Sequence, residues 1–179
     1  MSLPTRNKTS PLSVREMVLF SMLGSIMFAS KILMEALPNI HLLGALTIAY
    51  TIVYRYKALI PIYIYVALNG VFAGFNAWWV PYTYIWTILW GVTMLLPRRM
   101  PDAVKQILYP LICGLHGFAF GMLYAPAQAI MFNLDFRGML AWISAGLPFD
   151  VIHGIGNCFA GILILPLSNL LLRLSKNRH

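Results

Sequence analysis

Six apolar segments alternate with short polar connections along the chain. They cover about 14–36, 39–54, 58–75, 80–97, 104–132 and 139–172. A membrane-spanning helix needs about 20 apolar residues to cross a hydrocarbon core of about 30 Å. The second and third segments are short and the last two are long, which indicates tilted or broken helices. The pattern therefore predicts an all-α bundle of six membrane-spanning helices, with five spans as the main alternative.

The sixth segment is too long for a single straight span and must contain an interruption. Glycine and proline together are the strongest local breakers of regular structure, and they occur here at Gly146 and Pro148. We therefore expect a turn at this point and a new helix from about Phe149 onward.

Composition indicates that lipid surrounds much of the protein. Hydrophobic residues make up 60% of the 179 residues and charged residues only 10%, whereas a soluble domain carries about 25% charged residues. The mean hydropathy is +0.75. A chain of this length could not bury so much apolar side-chain surface in water, so the composition predicts an integral membrane protein.

The basic residues predict how the bundle is oriented. Lys31 and Arg137 flank one side of the predicted spans, and the other eleven flank the opposite side: Arg6, Lys8, Arg15, Arg55, Lys57, Arg98, Arg99, Lys105, Arg173, Lys176 and Arg178. The positive-inside rule then places both termini in the cytoplasm. A polar tail (1–13) and a basic tail (173–179) flank a transmembrane domain (14–172). A net charge of +8 held in such clusters argues against a nucleic-acid partner.

Aromatic residues dominate the predicted outer connection between the third and fourth spans. This connection is uncharged and contains Trp78, Trp79 and Tyr82, with Asn76 before them and Trp86 one turn beyond. Such rings form an interfacial belt in many membrane proteins. They also provide stacking surface for a ligand, and both interpretations stay open.

Polar residues inside the spans are costly, so they usually face the bundle interior or a cavity. Asp150, His153 and Asn157 have spacings that place them on one face of a helix. Asp150 could instead be a helix N-terminal charge. In the first outer connection, Asn39 could cap the second helix, and His41 lies beside it.

The mixture of rings and amides predicts a small organic ligand, because rings stack on it while a few polar groups fix its orientation. It predicts no metal site and no cofactor, since no carboxylate or Cys/His ligand cluster occurs. The candidate binding residues are Asn39, His41, Asn76, Trp78, Trp79, Tyr82, Trp86, Asp150, His153 and Asn157.

Small residues repeat every four positions on the first span, at Ser21, Ser25 and Ala29. Such a stripe allows close helix packing. It either packs within this bundle or docks another membrane subunit.

With these features, residues 14–172 resemble an S component, the substrate-binding membrane subunit of energy-coupling factor (ECF) transporters. The resemblance rests on size, six spans, cytoplasmic termini and the stripe, which stands where the family carries an AxxxA-type docking motif but has serine at two of its three positions. Stretches 37–41 and 148–154 also look like sequences in uncharacterised members of this group.

The resemblance implies a function in the bacterial cytoplasmic membrane. The chain would bind a vitamin or related micronutrient from outside and deliver it through a transmembrane coupling subunit and two cytosolic ATPases. The chain itself would not be an enzyme, because it carries no Walker motif and ATP hydrolysis would take place in the partner subunits. Two alternatives stay open: a membrane enzyme using His116, Asp150 and His153 for acid–base chemistry, and a ligand-free assembly protein.

Overall fold

A computed structural model describes residues 12–37 and 40–176, and this part of the chain is helical without any strand. Two short 3-10 turns occur, at Arg55–Ala58 and Ala77–Trp79. The α-helices are α1 (Val14–Leu33), α2 (Leu43–Tyr54), α3 (Leu59–Ala73), α4 (Tyr82–Leu95), α5 (Asp102–Phe118), α6 (Phe120–Met131), α7 (Phe136–Gly161) and α8 (Ile164–Lys176). The all-α prediction is confirmed, and the helices fall within or close to the predicted apolar segments.

Four helical stretches are long and apolar enough to cross a membrane: Val14–Leu33, Leu43–Ala73, Asp102–Met131 and Phe136–Gly161. The second of them joins α2, a 3-10 turn and α3. Large apolar side chains are exposed along the helices, for example Ile107, Met122 and Phe159. Exposed apolar surface of this extent indicates a membrane protein.

The chain reverses direction between α2 and α3. Along α1, Glu16 forms an ion pair with Lys57 in the turn, and the backbone carbonyl of Leu23 accepts a hydrogen bond of 3.3 Å from the Tyr50 hydroxyl of α2. On its other side, the ring of Phe28 lies 5.4 Å from that of Phe72 near the end of α3. Thus α2 runs antiparallel to α1, and α3 runs parallel to it.

These contacts define two ends of the bundle. The start of α1, the Arg55–Ala58 turn and the end of α4 lie together, because a side-chain nitrogen of Arg55 donates to the Met94 carbonyl at 3.0 Å. We call this the basic end. Lys31, in the last turn of α1, and Arg137, in the first turn of α7, lie toward the opposite end.

Glycines allow α5 and α7 to pack backbone against backbone. A Cβ on Gly117 would lie 2.8 Å from the Cα of Gly154 and 2.9 Å from the carbonyl oxygen of His153. Further along the same antiparallel pair, a Cβ on Gly161 would lie 2.5 Å from the Cα of Pro110. Small residues at such contacts let membrane helices approach closely.

The predicted turn at Gly146 and Pro148 is wrong, since α7 continues through both residues. The interruption lies at Ile162 and Leu163, between α7 and α8. Pro166 favours this position, because in a continuous helix its ring would clash with the carbonyl of Ile162. In the first turn of α8 a proline is tolerated, because backbone N–H groups there have no intrahelical partner.

Helix α2 lies at the centre of the bundle, and every residue from Leu43 to Thr51 is buried. The buried hydrophobic core includes Met27, Ile62 and Leu89, from α1, α3 and α4. Trp86 is the largest of the fully buried side chains. The ring system around Trp86 leads to the candidate site.

Candidate functional site

Trp86 stands at the centre of a cluster of rings from several helices. It lies in the second turn of α4, near the opposite end of the bundle, and 1% of its surface is exposed. Its ring centroid lies 5.7 Å from that of His116 and between 6.0 and 6.1 Å from those of His41, Tyr65, Tyr82 and Phe120. We call these residues, together with His153, the ring cluster.

Three histidines come together in the ring cluster from three parts of the chain. His41 precedes α2, His116 lies near the end of α5, and His153 lies in α7. The His153 ring centroid is 4.7 Å from that of His41 and 4.7 Å from that of Phe120. The sequence analysis named His116 in the enzyme alternative, and the structure places it in the same cluster as the two predicted binding histidines.

The polar atoms of the ring cluster are largely without protein partners. Among the described residues, no hydrogen bond reaches these buried atoms: His41 Nδ1, Tyr65 Oη, Trp86 Nε1, His116 Nδ1 and His153 Nε2. His116 Nε2 lies 3.2 Å from the Ile85 carbonyl oxygen. Since a carbonyl only accepts, Nε2 donates, and the Nδ1 of a neutral ring presents a lone pair.

Three further buried side chains carry unpaired groups, and two of them lie one helical turn from members of the ring cluster. Asn157 lies one turn after His153, and a Cβ on Gly117 would lie 2.8 Å from its amide nitrogen. Asn69 lies one turn after Tyr65 on α3, and Thr47 lies on α2. In the described part of the chain, the side-chain amides of Asn69 and Asn157 have no hydrogen bond at either oxygen or nitrogen. The Thr47 hydroxyl has none either.

So many unpaired polar atoms in one region are unusual for a folded protein. More than about 90% of buried polar groups normally have a partner, from protein or ordered water. An unpaired buried donor or acceptor costs about 1–3 kcal/mol. The arrangement therefore provides donors, acceptors and aromatic faces that a polar organic molecule can satisfy together.

Asp150 is buried, as the helical spacing predicts, but its carboxylate has a structural partner. Both of its oxygens accept the backbone N–H of Gly121, at 3.0 and 3.1 Å. Gly121 lies in the first turn of α6, where backbone N–H groups lack intrahelical acceptors. Asp150 thus stabilises the start of α6 after the interruption at Ala119, and it is the member of its stripe least available to a ligand.

The aromatic connection divides between two environments. The Trp78 ring lies 5.6 Å from that of Tyr82, at the edge of the ring cluster. Trp79 donates from Nε1 to the Val66 carbonyl at 2.8 Å, and the Trp78 carbonyl accepts the Tyr124 hydroxyl. Asn76 is exposed beyond the end of α3, which Gly74 terminates with a φ of 91°. Only Tyr82 and Trp86 of this predicted set belong to the ring cluster, and Asn39 lies outside the described residues.

Sequence reasoning missed Tyr65, Thr47 and Phe120 as members of this region. Tyr65 and Asn69 are four residues apart, so they share one face of α3, and this spacing was the available signal. Thr47 carries no such signal, because a threonine within an apolar helix usually bonds to its own backbone. Phe120 follows the α5–α6 interruption, which nothing in the composition of that segment marks.

The groups required by the enzyme alternative are not hydrogen-bonded to one another in the described structure. Asp150 bonds to Gly121 and His116 to Ile85. No group of three or more His, Cys, Asp or Glu side chains among the described residues could hold a metal ion.

A separate surface feature lies on α1. A groove of about 670 Å³ runs along this helix and is lined by Val14, Met17, Val18, Ser21, Met22, Ser25 and Ile26. Ser21, Ser25 and Ala29 are all exposed, so the small-residue stripe faces away from the bundle over most of its length. Gly24, on the neighbouring face, packs against Ile64 of α3.

No protein-family model matches the chain, and searches of curated proteins and of solved structures find no significant match.

Proposed function

We propose that the chain is the substrate-binding S component of an ECF-type uptake transporter in a bacterial cytoplasmic membrane. The observation that carries the proposal is the ring cluster with its unpaired polar atoms. Such a site suits a vitamin or related micronutrient that offers an aromatic face and several hydrogen-bonding groups.

The chemistry of the site favours a neutral heterocyclic ligand. Trp86 Nε1 can donate, His116 Nδ1 can accept, and the Asn69 and Asn157 amides can do both. The carboxylate of Asp150, one turn before His153, is already bonded to Gly121. A charged ligand buried here would lack a counter-charge, which is costly.

The fold supports six crossings with both termini in the cytoplasm. Helices α2 and α3 reverse direction at the Arg55–Ala58 turn, so the stretch Leu43–Ala73 provides two crossings rather than one. Helix α4 returns the chain to the basic end. The positive-inside rule then places the basic end in the cytoplasm and the ring cluster toward the outside.

The exposed face of α1 supports a docking function for Ser21, Ser25 and Ala29. A membrane partner can approach closely over small side chains, and its own helix would fill the groove beside them. The partner would be the transmembrane coupling subunit, which joins two cytosolic ATPases to the chain.

Native mass spectrometry of the gently purified protein, co-expressed with a coupling module from its own host, tests the proposal. We expect a small organic adduct on the chain and a complex with the coupling subunit and ATPases. A chain that carries no adduct, gains none from a panel of vitamins and never joins the module would contradict it.

Matched variants separate the two surfaces. His153→Ala should reduce adduct occupancy, whereas Ile152→Ala, on the exposed face of the same helix, should not. Ser25→Leu should block complex formation and spare the adduct, whereas Ser144→Leu, at an exposed position of α7, should leave both intact. If His153→Ala keeps its adduct, the ring cluster is not the binding site. If Ser25→Leu still forms the complex, the exposed face of α1 is not the docking surface.

A further inference from the structure

A second pocket of about 360 Å³ lies at the basic end, between α2, α4, α5 and α8. Three cations line it: Arg55 from the turn after α2, Arg98 from the α4–α5 connection and Lys105 from α5. Apolar side chains, including Leu165 and Leu172 of α8, form another part of the wall. The pocket therefore combines a cationic rim with a hydrophobic wall.

The positive charge of this pocket is only partly balanced. Lys105 pairs with Asp102 at 2.7 Å, and Asp102 is exposed outside the pocket. No carboxylate lines the pocket, and neither arginine has an ion pair among the described residues. Two guanidinium groups thus face one concavity without an anion.

Arg55 is held so that part of its guanidinium stays unsatisfied. One terminal nitrogen donates to the Met94 carbonyl at 3.0 Å, while the buried Nε has no partner in the described structure. The backbone at Arg55 has a φ of 55°, a region that non-glycine residues rarely adopt. Trp90 Nε1 donates to the Arg55 carbonyl at 3.0 Å and helps to hold this conformation. Backbone strain of this kind concentrates at ligand sites.

We propose that this pocket binds the phosphate group of an anionic membrane lipid. Guanidinium groups bind phosphate through paired hydrogen bonds, and a lipid also supplies acyl chains for the apolar wall. Basic pockets between helices on the cytoplasmic side of a membrane protein favour such head groups. The proposal requires that the chain spans a membrane, and it does not depend on the ligand of the ring cluster.

Lipid binding to single variants tests the proposal. The purified protein is titrated in detergent with phosphatidylglycerol or phosphatidylcholine, and bound lipid is counted by native mass spectrometry. Arg98→Gln should lower phosphatidylglycerol affinity about fivefold, the effect of one basic contact. Arg99→Gln is the matched control, because it removes the same charge one residue away and does not line the pocket.

Three results would overturn the proposal. Equal losses in Arg98→Gln and Arg99→Gln would show that net charge alone attracts the lipid. Equal binding of phosphatidylcholine and phosphatidylglycerol would show that the pocket does not recognise the anionic charge of the lipid. Displacement of bound lipid by inorganic phosphate at equal concentration would assign the site to a free phosphate instead.

Arg98 is exposed, so its replacement tests lipid binding without disturbing the core. Arg55→Gln, if it folds, should show a larger loss of phosphatidylglycerol affinity.

Discussion

Trp86 and its neighbours show how single residues divide between stability and function. A buried polar atom without a partner lowers stability, so the ring cluster keeps Tyr65 Oη, Trp86 Nε1 and one ring nitrogen of each of its three histidines at a cost. Apolar side chains of similar volume at these positions would avoid that cost. A protein selected for stability alone would not be expected to concentrate such atoms in one region.

Two threonines on α2 test this argument. Thr47 and Thr51 are one turn apart and fully buried, but the Thr51 hydroxyl donates to the Thr47 carbonyl at 2.7 Å, while the Thr47 hydroxyl is unpaired. Valine has nearly the shape of threonine. Thr47→Val should therefore raise the free energy of unfolding of the ligand-free protein by about 1 kcal/mol, and Thr51→Val should lower it.

The measurement is reversible unfolding of both variants in mixed micelles, followed by tryptophan fluorescence. The proposed ligand should stabilise the parent protein more than Thr47→Val, because binding to the folded state adds to its stability. If Thr47→Val is the less stable of the two variants, the Thr47 hydroxyl has a partner in solution and does not belong to an unsatisfied site.

At the scale of elements, the contact between α5 and α7 positions His116 and His153 in the ring cluster. Gly117→Ala would push a methyl group against the backbone of α7, which cannot rotate away as a side chain can. We expect a loss of about 1–3 kcal/mol in the free energy of unfolding and a separation of the two histidines. Thermal unfolding in detergent measures the loss of stability.

Gly146→Ala is the matched control, because a Cβ there would meet nothing within 4 Å. Alanine is the better helix former, so this change within α7 should leave stability unchanged or raise it by about 0.5–1 kcal/mol. Equal destabilisation by both substitutions would show that the close contact at Gly117 is not what makes glycine necessary.

Element positions could be predicted from apolar periodicity, but their interruptions could not. Pro148 and Pro166 look equally disruptive in the sequence, yet α7 passes through the first and ends before the second. Pro110 and Pro126 also lie inside helices, so a proline alone does not fix where a helix ends. The sequence likewise predicted only part of the ring cluster. Helical spacing placed His153 and Asn157 on one face, whereas Tyr65 and Phe120 join them only through tertiary packing.

At the scale of the whole molecule, the hydrophobic content predicted a membrane protein. The distribution of apolar residues along the chain does not fix the number of membrane crossings, which must be measured. Length and composition alone mark four stretches that could span a membrane. In the proposed topology, the reversal at Arg55–Ala58 and the return through α4 add two crossings to these four. The two topologies disagree about one connection, between α3 and α4, which contains Asn76.

Cysteine labelling in intact cells with a membrane-impermeant maleimide distinguishes these topologies. With six crossings, Asn76→Cys and Phe132→Cys should both be labelled from outside, and Ala103→Cys should not. With four crossings, only Phe132→Cys would react, because residues 74–101 would lie in the cytoplasm. All three positions are exposed in the structure. Cys113 is buried and Cys158 is half-buried, so the parent protein sets the background. Labelling of Ala103→Cys alone would show that the bundle has the inverted orientation. The ring cluster would then lie toward the cytoplasm, where it could not capture a ligand from outside.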